Sequence, residues 1–233
     1  VLEIASNDGA VLAQFQQAGV QVLGIEPAQN IAAHANAKGI PTRALFFGKK
    51  TAQELVDEGI RADLIVANNV LAHVPDLHDF IAGFAIALKP HGVITFEFPH
   101  VLEMLKHTQF DTIYHEHFSY LSLTALVPLF AAHGLVMVDV ERLTTHGGSL
   151  RVFVRHAGAE VAQTVAALLH EEETFGLTRM ATYRAFDASV RALKADLLAT
   201  LHHMRASGKR VAAYGAPAKG NTLLNYCGID TQW

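Results

Sequence analysis

The chain of 233 residues has a single cysteine, Cys227, and its longest apolar runs are short and interrupted. One thiol excludes an internal disulfide framework and any zinc cluster built from thiolates, and it fits a reducing compartment such as the cytoplasm. No run is long enough to predict a membrane span, and no signal-peptide pattern stands at the start. We therefore predict a globular cytoplasmic protein without a membrane partner.

Runs of basic residues are also missing. The sequence has 18 Lys and Arg against 22 Asp and Glu, so it is slightly acidic. Nucleic acids are held mainly through cationic contacts to phosphates, so this balance argues against a nucleic-acid partner and favours a small substrate. The sequence opens inside an apolar strand at Val1 and closes at Trp233 just after a new strand and helix begin. We expect it to be an internal portion of a longer protein.

Apolar segments with strand and helix patterns alternate from the start of the sequence. Strands are predicted at residues 1–4, 20–25, 42–47, 63–67 and 93–98, and helices at residues 10–18, 30–38, 51–58 and 77–88. A helix at residues 123–133 and strands at 135–142 and 150–155 follow. This alternation with short connections predicts an α/β domain over residues 1–157, with a mostly parallel sheet covered by helices on both faces.

The first strand is followed by a turn of small polar residues, Ala5 to Gly9, and the second strand ends in Glu26. A carboxylate at that distance beyond the turn is placed to accept hydrogen bonds from two ribose hydroxyls. The turn lacks the three glycines that cradle a pyrophosphate, so a dinucleotide is the weaker interpretation. Acidic Glu3, the Asn-Asp-Gly turn and Glu26 look instead like the first two motifs of class I S-adenosylmethionine-dependent methyltransferases. Acidic groups there suit that cofactor because its sulfur is cationic.

Two further strand ends carry polar residues. The fourth strand ends in Asn68-Asn69, with His73 shortly after, and strand C-termini are where α/β sheets bind ligands. Phe46 and Phe47 end the third strand. They would either contact an adenine there or belong to the core.

The stretch Tyr114-His115-Glu116-His117-Phe118-Ser119-Tyr120 lies in an insertion, residues 100–120, after the fifth strand. Two imidazoles beside a carboxylate and two phenols form a set suited to moving protons near neutral pH. If the stretch is helical, Tyr114 and His117 share a face; if it is extended, His115 and His117 do. The alternative is a polar loop that satisfies its own hydrogen bonds.

Two more segments are candidates for substrate binding. The glycine-rich turn between the last two strands makes a tight hairpin, or else turns His146, Ser149 and Arg151 toward a substrate. Helical residues 158–207 then connect to a predicted strand, Lys209 to Tyr214, and a glycine-containing turn with Lys219 before a helix. Such a turn favours an anion site at the helix N-terminus, although a plain strand-to-helix turn is the alternative.

Four motifs in this order resemble the sugar C-methyltransferases that act on nucleotide-linked deoxysugars. They are Glu3-Ile4-Ala5-Ser6-Asn7-Asp8-Gly9, the seven residues from Tyr114 to Tyr120, His146-Gly147-Gly148-Ser149-Leu150-Arg151, and Tyr214-Gly215-Ala216-Pro217-Ala218-Lys219-Gly220-Asn221. The family has an N-terminal zinc-binding domain, a central class I methyltransferase (Rossmann-like) domain and a C-terminal Rossmann-like domain. The resemblance implies that this chain lacks the first, so zinc is not expected here, and that residues 208–233 begin the last.

The resemblance also implies roles for residues. The family methylates C3 of a 4-keto-6-deoxyhexose on a nucleoside diphosphate, with S-adenosylmethionine as methyl donor. His117 would be the base, Tyr114 and Glu116 would assist, and His73 would lie near the ketone, with His115 structural. The cofactor would contact Glu3, Ala5, Asn7, Asp8, Gly9, Glu26, Pro27, Asn68 and Asn69. The nucleotide sugar would contact His146, Ser149, Arg151, Tyr214, Lys219 and Asn221.

Three other functions fit parts of the same pattern. An O- or N-methyltransferase of a small metabolite would share Glu3, Gly9 and Glu26 without needing an anion site at Lys219. A metal-dependent hydrolase or isomerase would use His115 and His117 as ligands. A non-catalytic binding module would keep the fold without turnover.

Overall fold

The computed structural model describes residues 1–215, 217–231 and 233. Within these residues seven strands form one sheet in the order β3-β2-β1-β4-β5-β7-β6. The strands are β1 (Leu2–Ile4), β2 (Leu23–Ile25), β3 (Thr42–Arg43), β4 (Ala62–Asn68), β5 (Leu88–Pro99), β6 (Leu135–Leu143) and β7 (Ser149–His156). The first five are parallel, and β7 is antiparallel to both β5 and β6. The prediction of a mostly parallel sheet is confirmed.

Nine α-helices accompany the sheet in the described part of the chain. They are α1 (Ala10–Gln17), α2 (Gln29–Ala37), α3 (Lys49–Asp57), α4 (Leu77–Ala87), α5 (Val101–Lys106), α6 (Leu123–Ala131), α7 (Gln163–Phe175), α8 (Met180–Ala206) and α9 (Ala218–Cys227). Among these helices none is long and apolar enough to cross a membrane.

Alternation along β1 divides the helices between the two faces of the sheet. Leu2 and Ile4 join the large core that also contains the buried residues of α3, α4, α6 and α7. Glu3 points to the other face, where a smaller cluster joins α1 and α2 through Leu12 and Ala35. Helices therefore cover both faces, as the sequence predicts.

Stacked aromatic rings fill the centre of the large core. Phe84 of α4 contacts Phe96 of β5 with ring centroids 4.7 Å apart, and Phe96 stacks on Phe130 of α6 at 5.5 Å. All three side chains are fully buried. Offset and tilted aromatic pairs add to the free energy gained from burying their area, so this column fixes the helices against β5.

The strand order reverses between β1 and β4. From β1 the chain proceeds to β2 and β3 on one side, and β4 and β5 lie on the other side. The loops after β1 and β4 therefore leave the sheet in opposite directions and open a crevice at the carboxyl edge. Asn68, at the end of β4, pairs in register with Glu97 of β5 at the same edge.

The insertion crosses this edge. It begins at His100 with α5, continues through a short 3₁₀ turn at Phe110–Thr112, and ends before α6. The carbonyl of Ala72, in the loop after β4, accepts hydrogen bonds from the backbone N–H groups of Phe118 and Ser119 at 2.8 and 3.3 Å. The insertion is thereby fastened over the end of β4.

Two strand predictions differ from the structure in where the strand ends or begins. β3 ends at Arg43, so Phe46 and Phe47 lie outside it. Phe47 packs against Phe80 and Phe84, whereas Phe46 is 82% exposed. β5 begins at Leu88, earlier than predicted, because Leu88 already pairs with Ala62 of β4; a register shift at residues 89–92 separates this pair from the pair of Val93 with Leu64.

The strand predicted at Lys209 to Tyr214 is wrong. These residues form neither helix nor strand. A strand is stabilised by hydrogen bonds to a neighbouring strand, and no strand of the described residues runs beside this segment. Helix α9 begins at Ala218, so Lys219 and Asn221 lie in its first turns instead of in a turn before it. The predicted turn also includes Ala216, which lies outside the described residues.

Replacing Phe84 with alanine should lower the free energy of unfolding by about 3–5 kcal/mol, because a buried aromatic ring is removed from a packed column. Chemical denaturation measures this change. Val127→Ala, on the exposed side of α6, is the control and should change stability by less than about 0.5 kcal/mol. A loss below about 1 kcal/mol for Phe84→Ala would contradict the packing described.

Candidate active site

The loop after β1 has an unusual backbone. Ala5 and Asn7 have φ angles of 56° and 52°, and Gly9 has 77°. A side chain at Gly9 would also approach Ile40, since its Cβ would lie 2.8 Å from the Ile40 methyl group. Left-handed non-glycine residues cost free energy and concentrate at ligand sites. This loop turns its backbone sharply at the start of α1.

Glu26 connects this loop to the end of β2. Its buried carboxylate accepts hydrogen bonds from the backbone N–H of Asn7 at 3.1 Å and of Ala28 at 2.9 Å. Each carboxylate oxygen can accept a further hydrogen bond. Glu26 therefore shapes the crevice and still has capacity to accept ligand hydroxyl groups.

Several buried polar atoms at the carboxyl edge have no hydrogen-bond partner among the residues that the structure describes. They include Glu3 Oε2, Asn68 Oδ1 and Asn69 Oδ1. Buried polar atoms in folded proteins are nearly always hydrogen-bonded, so a group of such atoms beside a crevice indicates a ligand surface. Burial raises the pKa of Glu3 to about 7, with a smaller contribution from the charge of Asp8. A cationic ligand group would stabilise the ionised form of this carboxyl.

A cavity of about 380 Å³ adjoins this surface. Ala5 and Pro27 line it from the loops after β1 and β2, Phe46 from the loop after β3, and Val70 and His73 from the loop after β4. Its largely apolar wall and its position at the reversal of strand order are typical of a nucleoside site.

Asp8 differs from the other predicted cofactor residues. Its carboxylate forms an ion pair with Lys38 at 2.7 Å on the half-exposed side of the loop, and this lysine lowers the pKa of Asp8. Asp8 also accepts a hydrogen bond from the N–H of Ala10 at 3.3 Å. The structure thus engages Asp8 with Lys38 and the start of α1, and its contact with the cofactor stays a prediction.

Tyr114 and His117 contact each other across a turn. The Tyr114 hydroxyl lies 3.2 Å from Nε2 of His117, and Nδ1 of His117 lies 3.0 Å from the carbonyl oxygen of Thr112. A carbonyl can only accept, so Nδ1 carries the hydrogen and Nε2 of the neutral ring presents its lone pair. The helix-like i, i+3 alternative for this stretch is the one that the structure adopts. Nε2 is then the proton-accepting atom.

The surroundings of His117 favour its neutral form. Burial has the largest effect and lowers the pKa of its imidazole, and the hydrogen bond to the Thr112 carbonyl opposes it. The nearby charges of His73 and Lys219 lower the pKa further, and Glu116 has the smallest effect, which raises it. A neutral imidazole at physiological pH can accept a proton, which a general base requires.

His73 lies beside His117, with ring centroids 4.9 Å apart. Its Nδ1 is 2.8 Å from the backbone carbonyl oxygen of Glu116 and therefore donates, which leaves Nε2 free. The side chains of His115 and Glu116 are exposed. In the described residues no three His, Cys, Asp or Glu side chains are grouped to hold a metal ion. The structure therefore brings together His73, Tyr114 and His117, with Glu116 at the margin.

In the hairpin before β7, protein groups engage two of the three side chains that were predicted to face a substrate. Ser149 is buried, and its hydroxyl donates to the Thr145 carbonyl at 3.0 Å, so it stabilises the turn. Arg151 forms ion pairs with Glu97 at 3.1 Å and Glu141 at 3.4 Å on the two neighbouring strands. His146 is exposed with a φ of 53°. Of the three, His146 is exposed and the Arg151 side chain is 37% exposed, so both remain accessible.

The C-terminal candidates differ in their relation to the site. Tyr214 is fully exposed, and Asn221 accepts a hydrogen bond from Asn225 at 3.0 Å within α9. Lys219 is close enough to His117 to lower its pKa. Helix α9 itself packs on the turn that holds His117, because Tyr226 contacts Phe110 with ring centroids 5.0 Å apart.

Sequence reasoning missed three buried titratable residues near the insertion. Glu97 accepts hydrogen bonds from Arg151 at 3.1 Å and Thr145 at 3.3 Å. His100 and Glu172 form a fully buried pair with Nε2 and Oε1 2.7 Å apart. Glu97 has a detectable signal, a carboxylate at the end of an apolar strand, whereas Glu172 resembles its neighbours in an acidic helix.

Solved structures share this fold. A magnesium protoporphyrin IX methyltransferase from Synechocystis PCC 6803 with bound SAH aligns with a TM-score of 0.51 at 15% identity, over 67% of this chain and 73% of that one. An O-methyltransferase from neocarzinostatin biosynthesis, in complex with S-adenosylmethionine, aligns with a TM-score of 0.52 at 15% identity, over 66% of this chain and 48% of that one. The fold is that of class I S-adenosylmethionine-dependent methyltransferases.

Sequence comparison defines the family. A model described as a methyltransferase domain matches residues 1–140, and one described as a C-methyltransferase C-terminal domain matches residues 144–233. The chain belongs to the methyltransferase domain family.

Two similar proteins are methyltransferases by name. C-methyltransferase NovU from Streptomyces niveus is 42% identical over 100% of this chain, which spans 56% of that protein. A ubiquinone biosynthesis O-methyltransferase from Rhodopseudomonas palustris (strain HaA2) is 34% identical over 40% of this chain and 37% of its own length. The chain thus spans about half or less of these relatives.

Glu3→Gln should stabilise the ligand-free protein at pH 8 by about 1–3 kcal/mol. The folded-state pKa of Glu3, about 7, exceeds the ordinary value of 4.5, so the folded state binds the extra proton between those values. Wild-type stability should therefore fall as pH rises from 4.5 to 7, and this fall should be smaller in the variant.

Urea unfolding at pH 5 and pH 8 measures this difference. Glu160→Gln, which changes an exposed carboxylate, serves as the matched control and should behave as wild type at both pH values. Equal stability of Glu3→Gln and wild type at pH 8 would show that the Glu3 carboxylate carries no burial cost.

Proposed function

We propose that this chain carries out S-adenosylmethionine-dependent C-methylation of a nucleoside-diphosphate-linked 4-keto-6-deoxysugar at C3. The observation that carries the proposal is the position of His117 beside the cofactor crevice, with Nδ1 3.0 Å from the Thr112 carbonyl oxygen and Nε2 3.2 Å from the Tyr114 hydroxyl. The C-methyltransferase model over residues 144–233 and the 42% identity to NovU support carbon as the methylated atom.

The residues of the crevice fit the cofactor. Unpartnered oxygens of Glu3, Asn68 and Asn69 would accept hydrogen bonds from its amino-acid and ribose groups, and Glu26 would hold the ribose hydroxyls. The cavity lined by Pro27 and Phe46 would take the adenine. S-adenosylmethionine, when bound, supplies an electrophilic methyl group attached to a cationic sulfur.

The protein's own part in the reaction is proton removal. The 4-keto group acidifies the hydrogen on C3, and the electron pair left on C3 is delocalised onto the ketone oxygen as an enolate. Nε2 of His117 would take this proton, and the Tyr114 hydroxyl would orient the imidazole and relay the proton. His73 would lie near the ketone oxygen where negative charge develops, and Glu116 would help the proton to leave. C3 is then the nucleophile.

Lys219 is the first candidate for binding the nucleoside diphosphate. It lies in the first turn of α9, where helix N–H groups and the helix dipole favour an anion. We propose that Asn221, Tyr214 and the exposed His146 complete the substrate contacts, and that residues 208–233 begin a substrate-binding domain. The single cysteine fits a reducing compartment, which supports a cytoplasmic reaction.

His117→Asn should lower the rate of methyl transfer by about 10²- to 10⁴-fold, because asparagine has no basic nitrogen. Purified protein is incubated with labelled S-adenosylmethionine and thymidine diphosphate 4-keto-6-deoxyglucose, and NMR of the product distinguishes a C-methyl from an O-methyl group. Cofactor affinity, measured by calorimetry, should change less than about twofold, since His117 lies outside the crevice that would bind it.

His115→Asn is the matched control, because the His115 side chain is exposed and should leave the rate unchanged. Methyl transfer by His117→Asn within a few-fold of wild type would refute the assignment of the base. A product methylated on oxygen would refute the C-methylation proposal itself.

A further inference from the structure

A fully buried carboxylate lies behind the insertion. Glu172 of α7 accepts four hydrogen bonds, at 2.7 Å from His100 Nε2, 2.8 Å from the Leu123 N–H, 2.7 Å from the Thr124 N–H and 2.6 Å from the Thr124 hydroxyl. Both the His100 and Glu172 side chains are 0% exposed. Every acceptor position of this carboxylate is thereby used.

The four donors stand at the two ends of one segment. His100 is the first residue after β5 and opens the insertion, whereas Leu123 and Thr124 begin α6, which follows it. The N–H of Val101 also donates to the Leu121 carbonyl at 3.0 Å. Glu172 therefore clamps together the two ends of the segment that carries Tyr114 and His117.

A protein core can be stable without a buried carboxylate such as that of Glu172. Burial opposes ionisation of Glu172, but the hydrogen bonds from His100, Thr124 and Leu123 outweigh it and hold the pKa below its ordinary value. Well-packed apolar residues often replace a buried ion pair without loss of stability, whereas polar groups fix one arrangement of their partners. The geometry therefore favours a role in defining the position of the segment.

The His100–Glu172 pair also borders a cavity that His117 lines. His100 and His117 line the same small cavity of about 20 Å³, together with Thr112 and Tyr120. That volume is enough for one water molecule. Nδ1 of His100 is buried without a hydrogen-bond partner among the described residues. A water there would join His100 to the wall behind the His117 ring.

We propose that Glu172, acting through His100 and the start of α6, is a positioning residue that holds the insertion so that Nε2 of His117 faces the substrate. This inference rests on the proposed role of His117 as the base. Glu172 lies on α7, outside the methyltransferase domain match at residues 1–140, so the helices after the sheet would contribute to catalysis by fixing the geometry of the reacting segment.

Glu172→Gln in the full chain tests this proposal. Glutamine keeps the size of the side chain but replaces one acceptor oxygen with an N–H donor that faces other donors. We expect kcat to fall by about 10- to 100-fold at saturating S-adenosylmethionine and thymidine diphosphate 4-keto-6-deoxyglucose, as for residues that orient a catalytic group. The Kd for S-adenosylmethionine should change less than about twofold, since the crevice at β1 and β4 is untouched.

Hydrogen–deuterium exchange provides a readout that does not need turnover. Glu172→Gln should increase deuterium uptake in residues 100–124 and leave β1, β4 and their loops unchanged. Glu173→Gln, the same change at the exposed neighbouring position, should match wild type in kcat, Kd and exchange. If Glu172→Gln does not fold, Thr124→Val removes one of the four donors and should show the same effects to a smaller degree.

The outcomes separate this inference from the proposed function. Wild-type kcat and wild-type exchange in Glu172→Gln, or in Thr124→Val where that variant stands in, would overturn the positioning role. The positioning role would also be overturned if the variant lost both cofactor affinity and protection from deuterium exchange throughout the sheet, because Glu172 would then stabilise the whole fold. Inactive wild-type protein would instead refute the proposed function, and the exchange result alone would then decide whether Glu172 positions the segment.

Discussion

The parallel pairing of β1 with β4 is the constraint on which the candidate site depends. Because the strand order reverses at this pair, the loops after the two strands part and leave a crevice at the carboxyl edge. Glu3 reaches the crevice from β1, and Asn68 and Asn69 reach it from β4, each with a side-chain oxygen that no group of the described residues hydrogen-bonds. Strained backbone at Ala5, Asn7 and Asn69 collects at the same edge. The surrounding core holds these residues in conformations that they would not adopt alone.

The reacting segment depends on the same pair of strands. The loop after β4 holds the insertion through the Ala72 carbonyl and through His73, and the Thr112 carbonyl then fixes the tautomer of His117. A methyl donor bound in the crevice and a base on the insertion would thus be placed by two loops that share one edge. The buried Glu172 carboxylate supports the insertion from the opposite side, through His100 and α6.

Local patterns in the sequence predicted much of this arrangement. Strand and helix periodicity predicted the parallel sheet, and the residues after β1, β2 and β4 were correctly expected at one edge, because parallel strands end together. The pattern at residues 209–214 suggested a strand that the structure does not form. A local pattern does not show whether a neighbouring strand is present to pair with. Arg151 and Ser149 resembled exposed binding residues, yet Arg151 pairs with Glu97, which is distant in sequence, and the Ser149 hydroxyl donates to Thr145 within the hairpin. The His100–Glu172 pair joins residues 72 positions apart, so periodicity contains no sign of it.

The central claim is that His117 removes a hydrogen bound to carbon. The most direct measurement follows hydrogen at C3 of the keto sugar by NMR in heavy water, with S-adenosylhomocysteine bound so that no methyl group can be transferred. The account predicts that wild-type protein exchanges the C3 hydrogen for deuterium and that exchange slows by orders of magnitude when His117 is replaced by asparagine. Exchange at an equal rate in both proteins would contradict it.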